Sequence, residues 1–275
     1  MITIAKSLAI SVFAATLAFA GCASVNQTDT ESLTLSELGK PAIGVVHEDV
    51  TTLIGERDNL YSLAALTLVN RDWQAGSETR GHNIGSILVN NATGEIVFYA
   101  RNSNKILASG CQHGEVRLVT NFLKCEKAGP YLGDYTLYTT LEPCIMCAGM
   151  LTMTQIGKVV YVQQDPSYGN TQEIIGTGNY PIYYQEATVD SDFKSRLERS
   201  YNKSGVKSIT KWLVGDDAYQ IYNDAEQALL NYKPIFDVNN DVYDKVMKFL
   251  DKELPERFND AMAKQCPTGK FKEFY

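Results

Sequence analysis

Residues 135–150, YTLYTTLEPCIMCAGM, with the run 158–163, KVVYVQ, decide the fold. Tyr135–Thr140 reads as a short strand, 144–156 as a helix and Lys158–Gln163 as a second strand. Strand, helix, strand in that order means a parallel pair joined by a crossover, so the chain is α/β. Upstream, Ile84–Asn90 (IGSILVN) and Ile96–Ala100 (IVFYA) are β-rich runs joined by Asn91-Ala92-Thr93-Gly94, a hairpin with glycine in its turn. A helix is expected from near His113 to Ala128, stopped by Gly129-Pro130. The spacing of Leu60, Leu63, Ala64, Thr67 and Leu68 predicts an amphipathic helix over 57–73, and Ile182–Ala187 is a candidate fifth strand. From Ser191 onward the texture changes. Charged segments of helical period (191–202, 216–232, 238–264), separated by Gly205, Gly215 and Pro234, make residues 191–275 a helical C-terminal extension. It is either a second domain or a set of helices packed around the first.

The N-terminus reads as a targeting segment. Residues 1–21 carry one cation, Lys6, and then an apolar stretch from Ser7 to Gly21, short of the roughly 20 residues a bilayer helix needs. Phe19-Ala20-Gly21-Cys22 closes it and resembles the lipobox of bacterial lipoproteins, in which the cysteine is lipidated. The expectation is an exported, periplasmic lipoprotein anchored to the membrane through Cys22 alone. Residues 1–21 would be the signal peptide, 22–56 the tether and lead-in, and 57–190 the catalytic domain. The 275 residues include 25 Lys and Arg against 32 Asp and Glu, a net charge of −7. An acidic chain with no long basic run lacks the footprint of a general nucleic-acid binder. With 44% hydrophobic residues, disorder is excluded, and six cysteines are too few for a disulfide-rich miniprotein.

Two short motifs carry chemistry: His113-Gly114-Glu115, and Pro143-Cys144-Ile145-Met146-Cys147. One imidazole and two thiolates give Zn²⁺ three protein ligands, one ion per chain, and leave the fourth tetrahedral position open, the mark of a catalytic site. His113 and Cys144 fall where helices begin, where free N–H groups stabilise a thiolate, and Cys147 shares a helical face with Cys144. Glu115 stands where it can take a proton from water, pass it to a ring nitrogen and later deliver it to a departing amine. A redox CxxC would leave His113-Gly114-Glu115 unexplained. A closed structural site would recruit Cys111 as fourth ligand. Cys125 reads as helix packing, and Cys266 has no assigned role.

The H-x-E and P-C-x-x-C pair is the signature of zinc nucleobase deaminases. Thr140–Met150 (TLEPCIMCAGM) closely resembles the corresponding block of tRNA adenosine deaminases and their guanine deaminase relatives. Ile156–Tyr161, Asp165-Pro166, Gly169 and the strand His82–Val89 resemble other parts of that family. The resemblance covers roughly 57–172 and implies a cytidine deaminase-like three-layer α/β/α fold with a five-stranded mixed sheet. It also implies that Asn102 contacts the base, that Asn83, Gly85 and Ser86 border the pocket, and that the chain forms a homodimer. Asn83 stands where the family usually has proline, and Gly114 where it usually has alanine, so base preference is not carried across. Phe271, Phe274 and Tyr275 are expected to pack in the core.

These residues imply a hydrolytic deaminase that releases ammonia from the amidine of a nucleobase, nucleoside or related small heterocycle. The alternatives are a nucleic-acid-editing deaminase effector, which needs a basic groove at the metal site, and a catalytically inactive zinc-binding lipoprotein. Export and acidity both argue against cytosolic tRNA as substrate.

Overall fold

The computed structural model describes residues 44–75, 80–126, 129–169, 171–176 and 183–254. The expected signal peptide, Cys22, Cys266 and the terminal aromatics lie outside the described residues. In chain order the elements are β1 (Val46–Asp49), α1 (Leu53–Arg71), β2 (Gly85–Asn90), β3 (Ile96–Arg101), α2 (Gly114–Glu126), β4 (Tyr135–Leu141), α3 (Ile145–Met153) and β5 (Lys158–Gln163). They continue with α4 (Thr171–Gly176), β6 (Gln185–Asp190), α5 (Asp192–Ser204), α6 (Ile209–Trp212), α7 (Asp216–Leu230), α8 (Asn239–Lys248) and a π-helical turn, Phe249–Glu253.

The sheet runs β1-β6-β5-β4-β2-β3. β4, β5, β6 and β1 are parallel neighbours, while β2 is antiparallel to both β3 and β4. This is a mixed sheet between helical layers, the α/β class the sequence pattern predicts. It holds six strands, not five. The extra strand, Val46–Asp49, falls in the stretch read as tether and lead-in, and its sequence VHED is too short and polar to show a strand period. It adds to the sheet edge by pairing parallel to β6. The last strand starts at Gln185, three residues later than Ile182.

Alternation along the strands sorts the core into two clusters. Ile87, Val89, Tyr138, Val160, Ala187 and Val189 pack with α1 and with α5 to α8. Leu88, Leu137 and Val159 point the other way and pack with Leu118, Val119 and Phe122 of α2 and Leu151 of α3. α1 starts at Leu53, four residues before the predicted helix, because Thr52 caps it by accepting from the Gly55 N–H at 3.0 Å. Almost every residue from Gly55 to Val69 is buried, since α1 faces the sheet on one side and the extension on the other.

Polar clamps fasten the extension to α1. The buried Glu56 carboxylate accepts from the N–H groups of Ile235 (2.5 Å) and Phe236 (3.1 Å) and from Asn239 Nδ2 (2.7 Å). Glu226 of α7 accepts from Asn70 and Arg71 at 2.6 and 2.8 Å. The helices after Ser191 therefore share one core with the sheet. No helix among the described residues is long and apolar enough to cross a membrane.

Candidate active site

The site forms where two helices begin. Asn102 follows β3, His113 precedes α2, and Cys144 is the N-cap of α3, with φ −69° and ψ 168° and no side-chain cap hydrogen bond. The Cys144 thiol faces Cys147 in the first turn of the same helix. His113 Nδ1 lies 3.6 Å from Cys144 Sγ and 3.6 Å from Cys147 Sγ, and the two sulfurs are 3.7 Å apart. A tetrahedral ion with bonds of about 2.3 Å to sulfur and about 2.0–2.1 Å to nitrogen requires separations of about 3.8 and 3.6 Å. The three donors fit zinc in both type and spacing. Among the described residues this is the one His/Cys/Asp/Glu group gathered closely enough to hold a metal. Cys111 is exposed and outside it, which removes its expected alternative role as a fourth ligand.

Electrostatics follow from contact and burial. The contact with Cys147 holds the Cys144 thiol down to about 4, assisted by His113. Its counterpart Cys147 is pushed well above the usual thiol range by Cys144 and by burial. Burial raises the Glu115 carboxyl to about 7. Glu115 is 3% exposed, and its Oε2 has no hydrogen-bond partner. A buried carboxylate oxygen without a partner is costly to keep.

Asn102 is fixed from two sides: its backbone N–H donates to Ile84 O, and its Oδ1 accepts the Gly114 N–H at 2.6 Å. That bond orients the amide and leaves Nδ2 buried and unpartnered. A Cβ on Gly114 would stand 3.3–3.4 Å from Ala100 O, Asn102 Oδ1 and Ser86 Oγ, so glycine gives this packing a few tenths of an ångström of relief.

A cavity of about 450 Å³ opens here, within the range of small-molecule sites. Asn102, His113, Glu115 and Cys144 line it, together with His82, Glu142, Asp165, Tyr168, Ser208 and Thr210. The other expected pocket residues lie elsewhere. Gly85 N donates to Thr140 Oγ1, Ser86 Oγ donates to Thr139 Oγ1, and neither lines the cavity. Asn83 is fully buried and spends its whole amide on the scaffold. Its Oδ1 accepts from Gln74 N and Arg101, and its Nδ2 donates to Gln74 O and Leu213 O. One of these bonds reaches the extension, so the Asn83 amide ties Leu213 to the scaffold around Gln74 and Arg101. His82, at the start of the stretch His82–Val89, also borders the cavity, and burial lowers its pKa. Ser208 and Thr210 escaped sequence reasoning entirely, since no local pattern reveals a contact made across the fold. Cys125 of α2 packs partly buried against the second cluster and is disulfide-bonded.

Fold and site together define an α/β domain in which three donors able to hold a metal lie beside a buried carboxylate. A family model for the cytidine and deoxycytidylate deaminase zinc-binding region matches residues 57–163. A tRNA-specific adenosine deaminase from Agrobacterium fabrum is 33% identical over 109 residues, covering 39% of this chain and 69% of that protein. The corresponding protein from Bacillus subtilis is 33% identical over 114 residues, 41% of this chain. The chain belongs to the cytidine and deoxycytidylate deaminase family. It spans 66% of the Bacillus subtilis protein and 63% of a similar one from Aquifex aeolicus. A solved structure from work on A-to-I editing by tRNA:A34 deaminases aligns with 49% of this chain and 98% of its own at 25% identity, with a TM-score of 0.38.

Proposed function

We propose that this protein is a hydrolytic deaminase holding one zinc ion on His113, Cys144 and Cys147, and that it releases ammonia from the amidine of a nucleobase, nucleoside or related small heterocycle. The observation that carries the reading is the unpartnered Oε2 of the buried Glu115 carboxylate, which lines the same cavity as a donor triad at tetrahedral spacing. A bound zinc ion supplies a Lewis acid that lowers the pKa of water towards about 7. Glu115 accepts one proton of the attacking water and delivers it to the ring nitrogen, then takes up the remaining hydroxyl proton and delivers it to the amine as the carbonyl forms. A C–O bond forms at the amidine carbon, the C–N bond breaks, and ammonia leaves. Asn102 Nδ2 donates to an acceptor on the ring and holds the carbon in line with Glu115. His113 and the two thiolates take no proton.

Relatives named tRNA-specific adenosine deaminase favour a second reading, editing of a nucleic acid. The cavity lining opposes it: no Lys or Arg is among the described lining residues, and Glu142 and Asp165 are. Export with lipidation at Cys22 rests on the apolar run before it. Self-association as a homodimer is part of the same proposal. The test is to measure zinc in the purified mature chain and screen ammonia release over bases, nucleosides and single-stranded oligonucleotides. About one zinc per chain with turnover of a small compound supports the reading. Turnover of oligonucleotides alone transfers it to editing, and tight binding without turnover makes the protein a binding module.

A further inference from the structure

The helical extension supplies one wall of the pocket. Ser208 and Thr210, at the start of α6, line the same cavity as Asn102, His113 and Glu115. Their hydroxyl oxygens are 2.9 Å apart, so one donates to the other and the pair keeps a proton and lone pairs for a ligand. Although Ser208 is the N-cap of α6, its side chain makes no capping hydrogen bond, so the helix does not consume this hydroxyl.

The wall is fixed rather than mobile. Ile209, Trp212 and Leu213 are buried in the core cluster shared with α1, and Leu213 O accepts from the buried Asn83 amide at 3.0 Å. Asn83 is itself locked by Gln74 and Arg101. The electrostatic character of the pocket narrows the ligand further. Glu115, Glu142 and Asp165 line it and no Lys or Arg is among the described lining residues, so a phosphate would meet carboxylates and no cationic side chain of the wall.

We infer that Ser208 and Thr210 select what the base carries, and that the carried group is neutral and hydroxylated, as in a nucleoside. This rests on the deaminase reading and gives it a substrate class: nucleosides ahead of both free bases and nucleotides. The Asn83 amide acts as a positioning residue for this wall.

The test compares kcat/KM of the zinc-loaded protein on adenosine, cytidine and guanosine, on the matching free bases, and on the matching 5′-monophosphates. Wild type is expected to turn over one nucleoside faster than its base and its monophosphate. In S208A/T210V the nucleoside-to-base ratio of kcat/KM should fall about tenfold, through KM, as expected for two lost neutral hydrogen bonds. Zinc content and thermal unfolding verify that the double variant is folded. If it is not, S208A and T210V are measured singly. A ratio unchanged within about twofold overturns the inference, as does a wild type that prefers the base or the monophosphate. If no compound yields ammonia, the catalytic reading fails instead. The wall is then judged by equilibrium binding of the same compounds, and nucleosides that bind no tighter than their bases overturn it as well.

Discussion

The two faces of the sheet are built from the same strands by simple alternation, yet they carry different kinds of information. The face under α2 and α3 holds the chemistry: three donors and a carboxylate placed by two helix N-termini, all within short sequence motifs. The face under α1 holds no metal site among the described residues, and instead binds the extension through apolar packing and through Glu56, Asn83 and Glu226. The contrast is one of distance in the chain: short motifs gather the three donors, while a distant helical segment lines part of the same cavity. α6 joins the two faces, because its core residues belong to the α1 side and its first turn lines the cavity.

The contrast is broken most severely at the chemical face. Cys144→Ser removes a thiolate ligand, and two helix N-termini then face each other without the shared ion. Zinc content should collapse and activity fall by more than the roughly 10–100-fold that even outer partners of a metal site command, with a lower Tm. Near-full zinc occupancy would remove Cys144 from the ligand set.

On the other face, Glu56→Ala should destabilise by about 1.5–3 kcal/mol, since it removes the one carboxylate that accepts from the Ile235 and Phe236 N–H groups and from Asn239 Nδ2. Denaturant titration measures this. A change below about 1 kcal/mol would show that the clamp does not hold the extension. Asn83→Ala is intermediate. It should destabilise by about 1–3 kcal/mol and raise KM for the small-molecule substrate more than it lowers kcat, because it loosens the α6 wall and leaves the metal triad untouched. A kcat loss at constant KM would break that link between the faces.

The smallest effect concerns pH. Glu186 of β6 is fully buried, both its oxygens lack partners, and burial, with the neighbouring Glu142 carboxylate, raises its carboxyl from 4.5 to about 8. The folded chain therefore holds a proton that the unfolded chain releases above pH 4.5. Stability from this group is complete below about 4.5 and is lost as pH rises towards 8, by at most about 1.4 kcal/mol per pH unit. Glu186→Gln should flatten that slope and raise Tm at pH 8 more than at pH 5. A steeper slope in the variant would contradict the assignment.

What could be read in the sequence follows the same division. His113, Glu115, Cys144 and Cys147 were legible because zinc chemistry restricts residue type and spacing locally, and β4-α3-β5 because its hydrophobic periods are strong. β1 was invisible, being four polar-patterned residues whose only reason to extend is an open edge on β6. The burial of α1 on both sides, the scaffold role of Asn83 and the pocket role of Ser208 and Thr210 all depend on the docked extension. Contacts between residues more than a hundred positions apart leave no period in the chain.

The most direct measurement is zinc content and ammonia release on the same samples of wild type and Glu115→Gln. The substitution keeps volume and leaves all three donors in place, so it separates holding the metal from moving the proton. Zinc should remain near one per chain while ammonia release on the wild-type substrate slows by about 10²–10⁴-fold. A variant that keeps its zinc and works within about tenfold of wild type would show that Glu115 does not carry the proton, and the hydrolytic mechanism built on that carboxylate would be wrong.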